Sequence, residues 1–329
     1  MPASPRPAEP PDGGRHPIRI GAAFWVQRTD WPSLRDALVA ADDAGADDLW
    51  IDDHLLADEG RDSHDPKLEG WATLAAAAAV TSRARLGLLV AANTFRNPGL
   101  TAKLATTVDH ISGGRAILGI GGGWFEEEHD AFGFDFGTGF GERLDRLAEA
   151  VPLIRRLLDG EIVTHDGRFY RFHDAVCAPR PIQRHLPILI GGSGPTKTLP
   201  LIARTADLWN AYGTPESVAA SDRILRDRCA EIGRDADEIE RTINLNVMVR
   251  ATDAAAERDW ASYVEDHHPR KDEGRLLVGG TVDSVAEALA EYARVGFRHP
   301  ILIFRSPWDL ETICAIGRLK EALAAVVPG

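Results

Sequence analysis

Pro187-Ile-Leu-Ile-Gly-Gly-Ser-Gly194, then a helical stretch over 196–204, then Asp207-Leu-Trp-Asn210 make the unit whose reading decides the fold. A short run that is apolar throughout suits a parallel strand covered on both faces, and two such runs joined through a helix form one β/α repeat. The same order recurs in both directions. Further strands are expected at 18–24, 48–52, 85–91, 115–121, 242–249 and 300–304, and further helices at 31–44, 69–81, 98–111, 141–158, 215–232, 282–295 and 310–326. Eight repeats that close on themselves give an α/β fold of the (β/α)8 TIM-barrel type, which takes about 250 residues plus insertions. An open doubly wound sheet is the alternative.

Several element ends carry a physical reason. Pro32 and Ser33 suit a helix start, and Gly45 and Gly296 stand just past helix ends, where a left-handed residue costs glycine little. Two insertions interrupt the repeat: a hairpin over 161–176 turning at Asp166-Gly167, and a charged stretch over 262–274. The first 17 residues hold six prolines and lack the apolar core of a signal peptide, so they are read as a disordered tail ahead of one domain, 18–329.

Lys+Arg 37 against Asp+Glu 50 gives a net charge of −13, which repels phosphate backbones and argues against nucleic acid or anionic membrane as a partner. The longest apolar run, 71–80, falls well short of the ~20 residues a spanning helix needs. Cys177, Cys229 and Cys314 are scattered and odd in number, which fits a reducing cytoplasm and neither a disulfide framework nor a zinc site. A small-molecule substrate is the partner this composition leaves, with a homo-oligomer left open.

In a barrel the residues just after each strand gather at the C-terminal mouth, where chemistry sits. Here they are Trp25 and Gln27, Asp53 and His54, Ala92, Asn93, Phe95 and Arg96, the run from Gly122 to His129, the loop Gly191-Gly-Ser-Gly194, and Ala211 and Tyr212. His54 titrates near neutral pH and has Asp52 and Asp53 beside it in sequence, which makes it the acid/base candidate. A lone histidine is usually structural, but Asp-Asp-His directly after an apolar strand favours function.

The glycine loop at 191–194 offers N–H groups near a helix start and suits a phosphate, against the plainer reading of a tight turn that needs positive φ. Gly119-Ile-Gly-Gly-Gly-Trp124 does not complete a dinucleotide fingerprint, because Trp124 takes the third glycine position and three glutamates follow. Its glycines either simply let the fourth strand leave the barrel without side chains filling the mouth or leave a bare floor on which a flat ring lies. Glu126 to His129 reads as a solvated loop entering a short helix, and His267-His268 as a solvated pair. No metal is expected: Phe24-Trp25-Val26 stands where metal-dependent barrel hydrolases carry His-x-His, and no Gly-x-Ser-x-Gly elbow occurs.

Trp71-Ala-Thr-Leu with Arg85-Leu-Gly, Asn93-Thr-Phe-Arg-Asn-Pro98, Ser112-Gly-Gly-Arg115, Gly119-Ile-Gly-Gly-Gly-Trp124, Glu128-His-Asp-Ala-Phe-Gly133, Glu142-Arg143, the 187–194 run and Ala206-Asp-Leu-Trp-Asn210 occur in order. Together they resemble the luciferase-like monooxygenase superfamily, most nearly its coenzyme F420-dependent oxidoreductase branch, over 18–305. The resemblance implies a flavin or deazaflavin ring at the barrel mouth, with the cofactor phosphate on Gly191, Gly192, Ser193 and Gly194. It implies a bulge with a non-prolyl cis peptide at the end of the third strand, Val90 to Asn93, so that Ala91, Ala92 and Asn93 back the ring, and it adds Asn210 to the cofactor set. His54, paired with Asp53, falls near the hydride-transferring carbon, while Trp25 and Trp124 cover the ring and shape an apolar substrate pocket. Some members use a glutamate right after the fourth strand, where this chain has Gly122 and Gly123. The implied activity is F420-dependent hydride transfer on a small organic molecule. An FMN-dependent monooxygenase using reduced flavin and O2 is the alternative, either one served by a flavin or F420 reductase, and a catalytically silent cofactor-binding barrel is the third reading.

Overall fold

The computed structural model describes residues 16–58, 62–267 and 277–327. Its strands in chain order are β1 (Gly21–Trp25), β2 (Asp48–Ile51), β3 (Arg85–Leu88), β4 (Ala91–Ala92), β5 (Ala116–Gly121), β6 (Val163–Asp166), β7 (Arg171–Ala175), β8 (Ile188–Gly191), β9 (Leu208–Ala211), β10 (Glu240–Leu245), β11 (Val247–Val249), β12 (Val278–Gly280) and β13 (His299–Arg305). The helices are α1 (Trp31–Asp43), α2 (Gly70–Val80), α3 (Pro98–Ser112), α4 (Glu126–Phe132), α5 (Phe140–Leu158), α6 (Thr198–Thr205), α7 (Pro215–Glu231), α8 (Asp253–His267), α9 (Val282–Arg294), α10 (Leu310–Cys314) and α11 (Ile316–Val326).

All main-sheet pairings are parallel, in the order β3-β2-β1-β13-β10-β9-β8-β5-β4, and a β3–β5 pairing closes the ring. With β3 and β4 taken as one interrupted strand, this is the eight-stranded barrel, not the open sheet. Ala23, Trp50, Leu89, Ile117, Leu189, Leu208 and Ile301 fill its interior, while the larger apolar cluster lies between strands and helices.

The third strand departs from the expected 85–91. Gly87 pairs with Ile117 and Ala91 with Ile120, so four steps on one strand meet three on the other. One extra residue makes a bulge. The non-prolyl cis bond is Leu89–Val90, at the first residue of the expected range.

Local chemistry explains several boundaries. Asp30 caps α1 by accepting from Ser33 N with Pro32 in the first turn, and Gly45 and Gly296 take φ of +91° and +99° just past their helices. The hairpin β6–β7 turns as expected, with Gly167 N donating to Tyr170 O.

Other expectations need correction. The strand expected at 242–249 breaks after Leu245, because Asn246 O accepts from Val278 N and leads β11 into a side ribbon with β12. The helix expected at 310–326 divides at Ala315. Much of the stretch expected to be a polar insertion belongs to α8, where His267 is buried and faces two carbonyls, Tyr263 O at 3.0 Å and Ser306 O at 2.8 Å, so it is not solvated. His268 and the rest of that insertion lie outside the described residues, as does the expected tail up to residue 15.

The N-terminal end of the barrel is closed by ions at strand starts. His299 sits between Asp48 at 2.9 Å and Glu240 at 2.8 Å, while Arg85 reaches Asp48 at 3.0 Å and Arg19 reaches Glu240 at 2.6 Å. Burial opposes the imidazolium, but the two carboxylates outweigh it and raise His299 to about 9. Asp48 is held at about 2: burial opposes its charge, and His299 and Arg85 more than compensate.

A group with a raised imidazole pKa stabilises fully below its ordinary 6.5 and loses that contribution as pH climbs through about 9. Asp48 does the reverse, contributing above 3.8 and failing as pH falls through about 2. His299→Leu leaves two buried carboxylates facing each other and is expected to cost about 3–5 kcal/mol at neutral pH. Chemical denaturation of parent and variant checks this. The gap between them should narrow as the pH is raised past the His299 titration, and a gap independent of pH would contradict the account.

Candidate active site

The mouth is built around the bulge. A Cβ on Gly119 would stand 1.9 Å from Leu88 O, and one on Gly121 would stand 2.7 Å from a Val90 methyl. Val90 can therefore turn over the barrel interior only because β5 carries glycine there, and Gly191 on β8 also lies 3.4 Å, by its Cβ position, from both Val90 methyls. The result is a floor of one aliphatic side chain flanked by bare backbone.

Asp53 anchors this bulge. Its carboxylate accepts from Ala92 N at 2.9 Å and from Arg96 at 2.6 and 2.9 Å, and Arg96 continues to Glu69, the N-cap of α2, at 2.8 Å. Asp52 accepts from Val26 N at 2.8 Å and from Lys67. Neither aspartate orients His54, contrary to the pairing expected from sequence: residues that alternate after a strand point to different neighbours.

His54 is instead held by groups from farther along the chain. Its Nδ1 lies 2.9 Å from Glu128 Oε1, and Glu128 Oε2 accepts from Leu55 N at 2.8 Å. Its Nε2 lies 3.8 Å from Asp58 Oδ2. The rings of Trp124 and Phe125 meet the imidazole edge-on at 5.2 and 5.8 Å. Burial works against the charged imidazole, yet Asp58 and Glu128 more than offset it, so His54 is raised above its ordinary 6.5. Asp58 is lowered: burial opposes its charge, and His54, Lys67 and Arg305 favour it.

Glu128 was not legible as a site residue. In α4 the glutamates at 126 and 127 are exposed while 128 is buried, since the 3.6-residue period turns one member of the run inward. The signal available was helical phase, together with the Glu128-His-Asp-Ala-Phe-Gly133 motif. Asp58 and Lys67 lie in the irregular segment between β2 and α2, where no periodicity announces them.

The remaining expected residues gather at the same end. Trp25 is buried with the Arg305 guanidinium 5.5 Å from its ring, whereas Trp124 is exposed beside His54. Asn93 donates to the Tyr170 hydroxyl of the hairpin at 2.9 Å, and its Oδ1 is buried without a hydrogen-bond partner among the described residues. Asn210 donates to Thr242 and Asn244 at 2.8 and 2.9 Å. In the glycine loop Gly192 has φ +112°, donates to Asn210 O at 3.0 Å, and its carbonyl accepts from Trp209 Nε1 at 2.8 Å. The helix expected at 196 begins at Thr198, so Pro195 to Lys197 intervene between loop and helix. Among the described residues the N–H groups of Ser193 and Gly194 make no hydrogen bond and are the loop's available donors.

A family model described as luciferase-like monooxygenase matches residues 10–299. F420-dependent glucose-6-phosphate dehydrogenases of Kineococcus radiotolerans and Nakamurella multipartita are 31% and 32% identical, over 88% of this chain in each case and 92% and 91% of the relatives. Among solved structures, a coenzyme F420-dependent tetrahydromethanopterin reductase from Methanopyrus kandleri aligns with TM-score 0.75 at 20% identity, over 92% of this chain and 98% of that one. An F420-dependent secondary alcohol dehydrogenase in complex with an F420-acetone adduct aligns with TM-score 0.77 at 19% identity, over 95% and 100%. At such identities the structures establish the fold alone.

The anchoring role of Asp53 is directly testable. Arg96→Met strands a buried carboxylate and is expected to cost about 3–5 kcal/mol in urea denaturation at neutral pH. Combining it with Asp53→Asn removes the stranded charge and should recover part of that loss; a single variant as stable as the parent would show that the bulge is held by other means.

Proposed function

Because the chain belongs to the luciferase-like monooxygenase family, we propose that it is an F420-dependent oxidoreductase acting by two-electron transfer on a small organic molecule. The observation that carries this reading is a half-buried histidine, raised above its ordinary 6.5 and fixed by Glu128, at the same barrel mouth as an aliphatic floor made of Val90 and glycine backbone. Relatives named F420-dependent dehydrogenases, aligned over most of their length, support the choice of cofactor. FMN is the competing occupant.

The residues present fit such a group. The floor accommodates a flat ring because Gly121, where a Cβ would stand 2.7 Å from a Val90 methyl, leaves it bare, and the buried Asn93 Oδ1 is an acceptor awaiting a donor. Val90, Ala91, Ala92 and Asn93 would back the ring, Asn210 would stand beside it, and Ser193 and Gly194 N–H, between Gly191 and Gly192 and the turn before α6, would hold the phosphate. A bound deazaflavin supplies hydride chemistry that no side chain can. The chain's own tasks are positioning and proton handling. Glu128 fixes the imidazole tautomer, His54 moves a proton at Nε2, and Trp25 and Trp124 shape an apolar pocket that limits water. A cytoplasmic location belongs to this reading, supported by three cysteines that stay free, and a reductase that recharges the cofactor is the protein partner it calls for.

Fluorescence titration of the purified chain with F420 and with FMN tests the proposal: saturable binding of F420 supports it, and tight binding of FMN with none of F420 overturns it. Gly192→Val, whose side chain is strained at φ +112°, should weaken F420 binding while circular dichroism remains that of a folded barrel. His54→Ala is expected to lower single-turnover hydride transfer at saturating F420 by about 10² or more, with affinity little changed. An unchanged rate would remove His54 from the chemistry.

A further inference from the structure

The β6–β7 hairpin lies outside the ring of barrel strands, yet it reaches the mouth through Tyr170. Its turn is fixed from α5: Glu149 accepts from Tyr170 N at 2.9 Å and from Phe169 N at 3.2 Å, and His165 Nε2 lies 3.2 Å from the same carboxylate. The seat is close, because a Cβ on Gly167 would collide with Glu149 Oε1. On β7 the Phe172 ring comes within 3.5 Å of a Cβ placed on Gly99, in the first turn of α3. Tyr170 itself packs against the main apolar core, so its ring is set by the helices on either side of β5.

From this seat the Tyr170 hydroxyl accepts from Asn93 Nδ2 at 2.9 Å. Burial raises the phenol above its ordinary 10, although the bond from Asn93 works the other way, and the hydroxyl therefore keeps its proton at neutral pH. Asn93 N donates to Gly121 O at 3.0 Å, which places the residue beside the bare glycine of the floor. An amide is planar, with an acceptor on one arm and donors on the other, so the group that takes Nδ2 also decides where Oδ1 points. Here Oδ1 is turned away from the hydroxyl, buried, and without a hydrogen-bond partner among the described residues. A buried acceptor left unpaired is costly, which points to a donor that arrives with a ligand.

We propose that Tyr170 is a positioning residue of the cofactor site: by holding Nδ2 of Asn93 it keeps Oδ1 presented as the acceptor for a ring N–H of the bound cofactor. This rests on the reading of the mouth as the seat of a deazaflavin or flavin. F420 and FMN both carry, at one end of the flat ring, an N–H between two carbonyls, and that is the kind of donor Oδ1 lacks. Without the hydroxyl the amide loses its hold on the hairpin side, and an amide turned over would set N–H against N–H. The hairpin is then part of the site and not a surface insertion, and Glu149, by seating Phe169 and Tyr170, acts on the cofactor through Tyr170 and Asn93.

The arrangement is read first by its spectroscopic signature. In 1H–15N spectra of the full-length chain without cofactor, the side-chain N–H signals of Asn93 are assigned by their loss in Asn93→Ala, and Tyr170→Phe should move the bonded one upfield. On addition of F420 the Asn93 13Cγ signal of the parent should move downfield as Oδ1 gains a hydrogen bond; a signal that binding leaves in place overturns the proposal without recourse to any variant. Fluorescence titration is the second readout. Tyr170→Phe is expected to weaken F420 binding by about two- to tenfold, whereas adding it to Asn93→Ala should weaken binding no further. A hydroxyl that merely supports the hairpin would weaken binding by the same factor in both backgrounds, and that result, or an unchanged affinity in folded Tyr170→Phe, overturns the proposal. Thermal melts identify a variant that fails to fold, and the carbonyl signal of the parent then decides. If the parent binds FMN and not F420, the same measurements with FMN decide. Binding of neither refutes the cofactor reading and this inference with it, whereas binding without coupling between Tyr170 and Asn93 overturns this inference alone.

Discussion

One extra residue on the third barrel strand organises the whole mouth. Between Gly87 and Ala91 the chain takes four steps while β5 takes three, and the surplus turns Val90 inward over the barrel axis. The backbone of β5 must then come so near Leu88 O that Gly119 has no room for a Cβ, and Gly121 is bare for the same reason on the Val90 side. The bulge is in turn held from β2 and α2 through Asp53, Arg96 and Glu69. Loosening any of these would move the floor and the residues that follow it.

The two ends of the barrel use buried charge in different ways. At the strand starts His299 is pinned between two carboxylates, its Nδ1 bonded to Glu240 at 2.8 Å and its Nε2 ion-paired with Asp48 at 2.9 Å, and the contribution of that network is to stability. At the mouth only Nδ1 of His54 is bonded, and Nε2 faces a carboxylate from beyond bonding distance. The same chemistry, a histidine between two acids, is held from both sides in one place and bonded from one side in the other. A rigid closed end and a poised open end are what a barrel that performs chemistry at its mouth requires.

Much of this architecture is written in the chain. The apolar runs give the parallel strands, the Asp166-Gly167 turn gives the hairpin, and Gly45 and Gly296 mark helix ends by a conformation few other residues adopt. Those signals are local, so sequence carries them. The site itself is less legible because its decisive contacts are between distant segments: His54 meets Glu128 across 74 positions. Adjacency suggested Asp53 as its partner, whereas the chain sends that carboxylate toward Ala92 and Arg96. The run of three glutamates read as solvated because composition does not reveal which member of a short helix faces inward. Asn246 ended β10 early for a similar reason, its carbonyl being taken by β12 from beyond α8.

The central claim is that the bulge at Val90 is a seat for a flat redox ring that places its reacting edge beside His54. A crystal structure of the chain with F420 tests it most directly. The account predicts ring density against the Val90 methyls between the ends of β4 and β8, with the phosphate at Ser193 and Gly194 and the His54–Glu128 pair intact. Cofactor bound away from Val90, or His54 turned from Glu128 when the ring is in place, would contradict it.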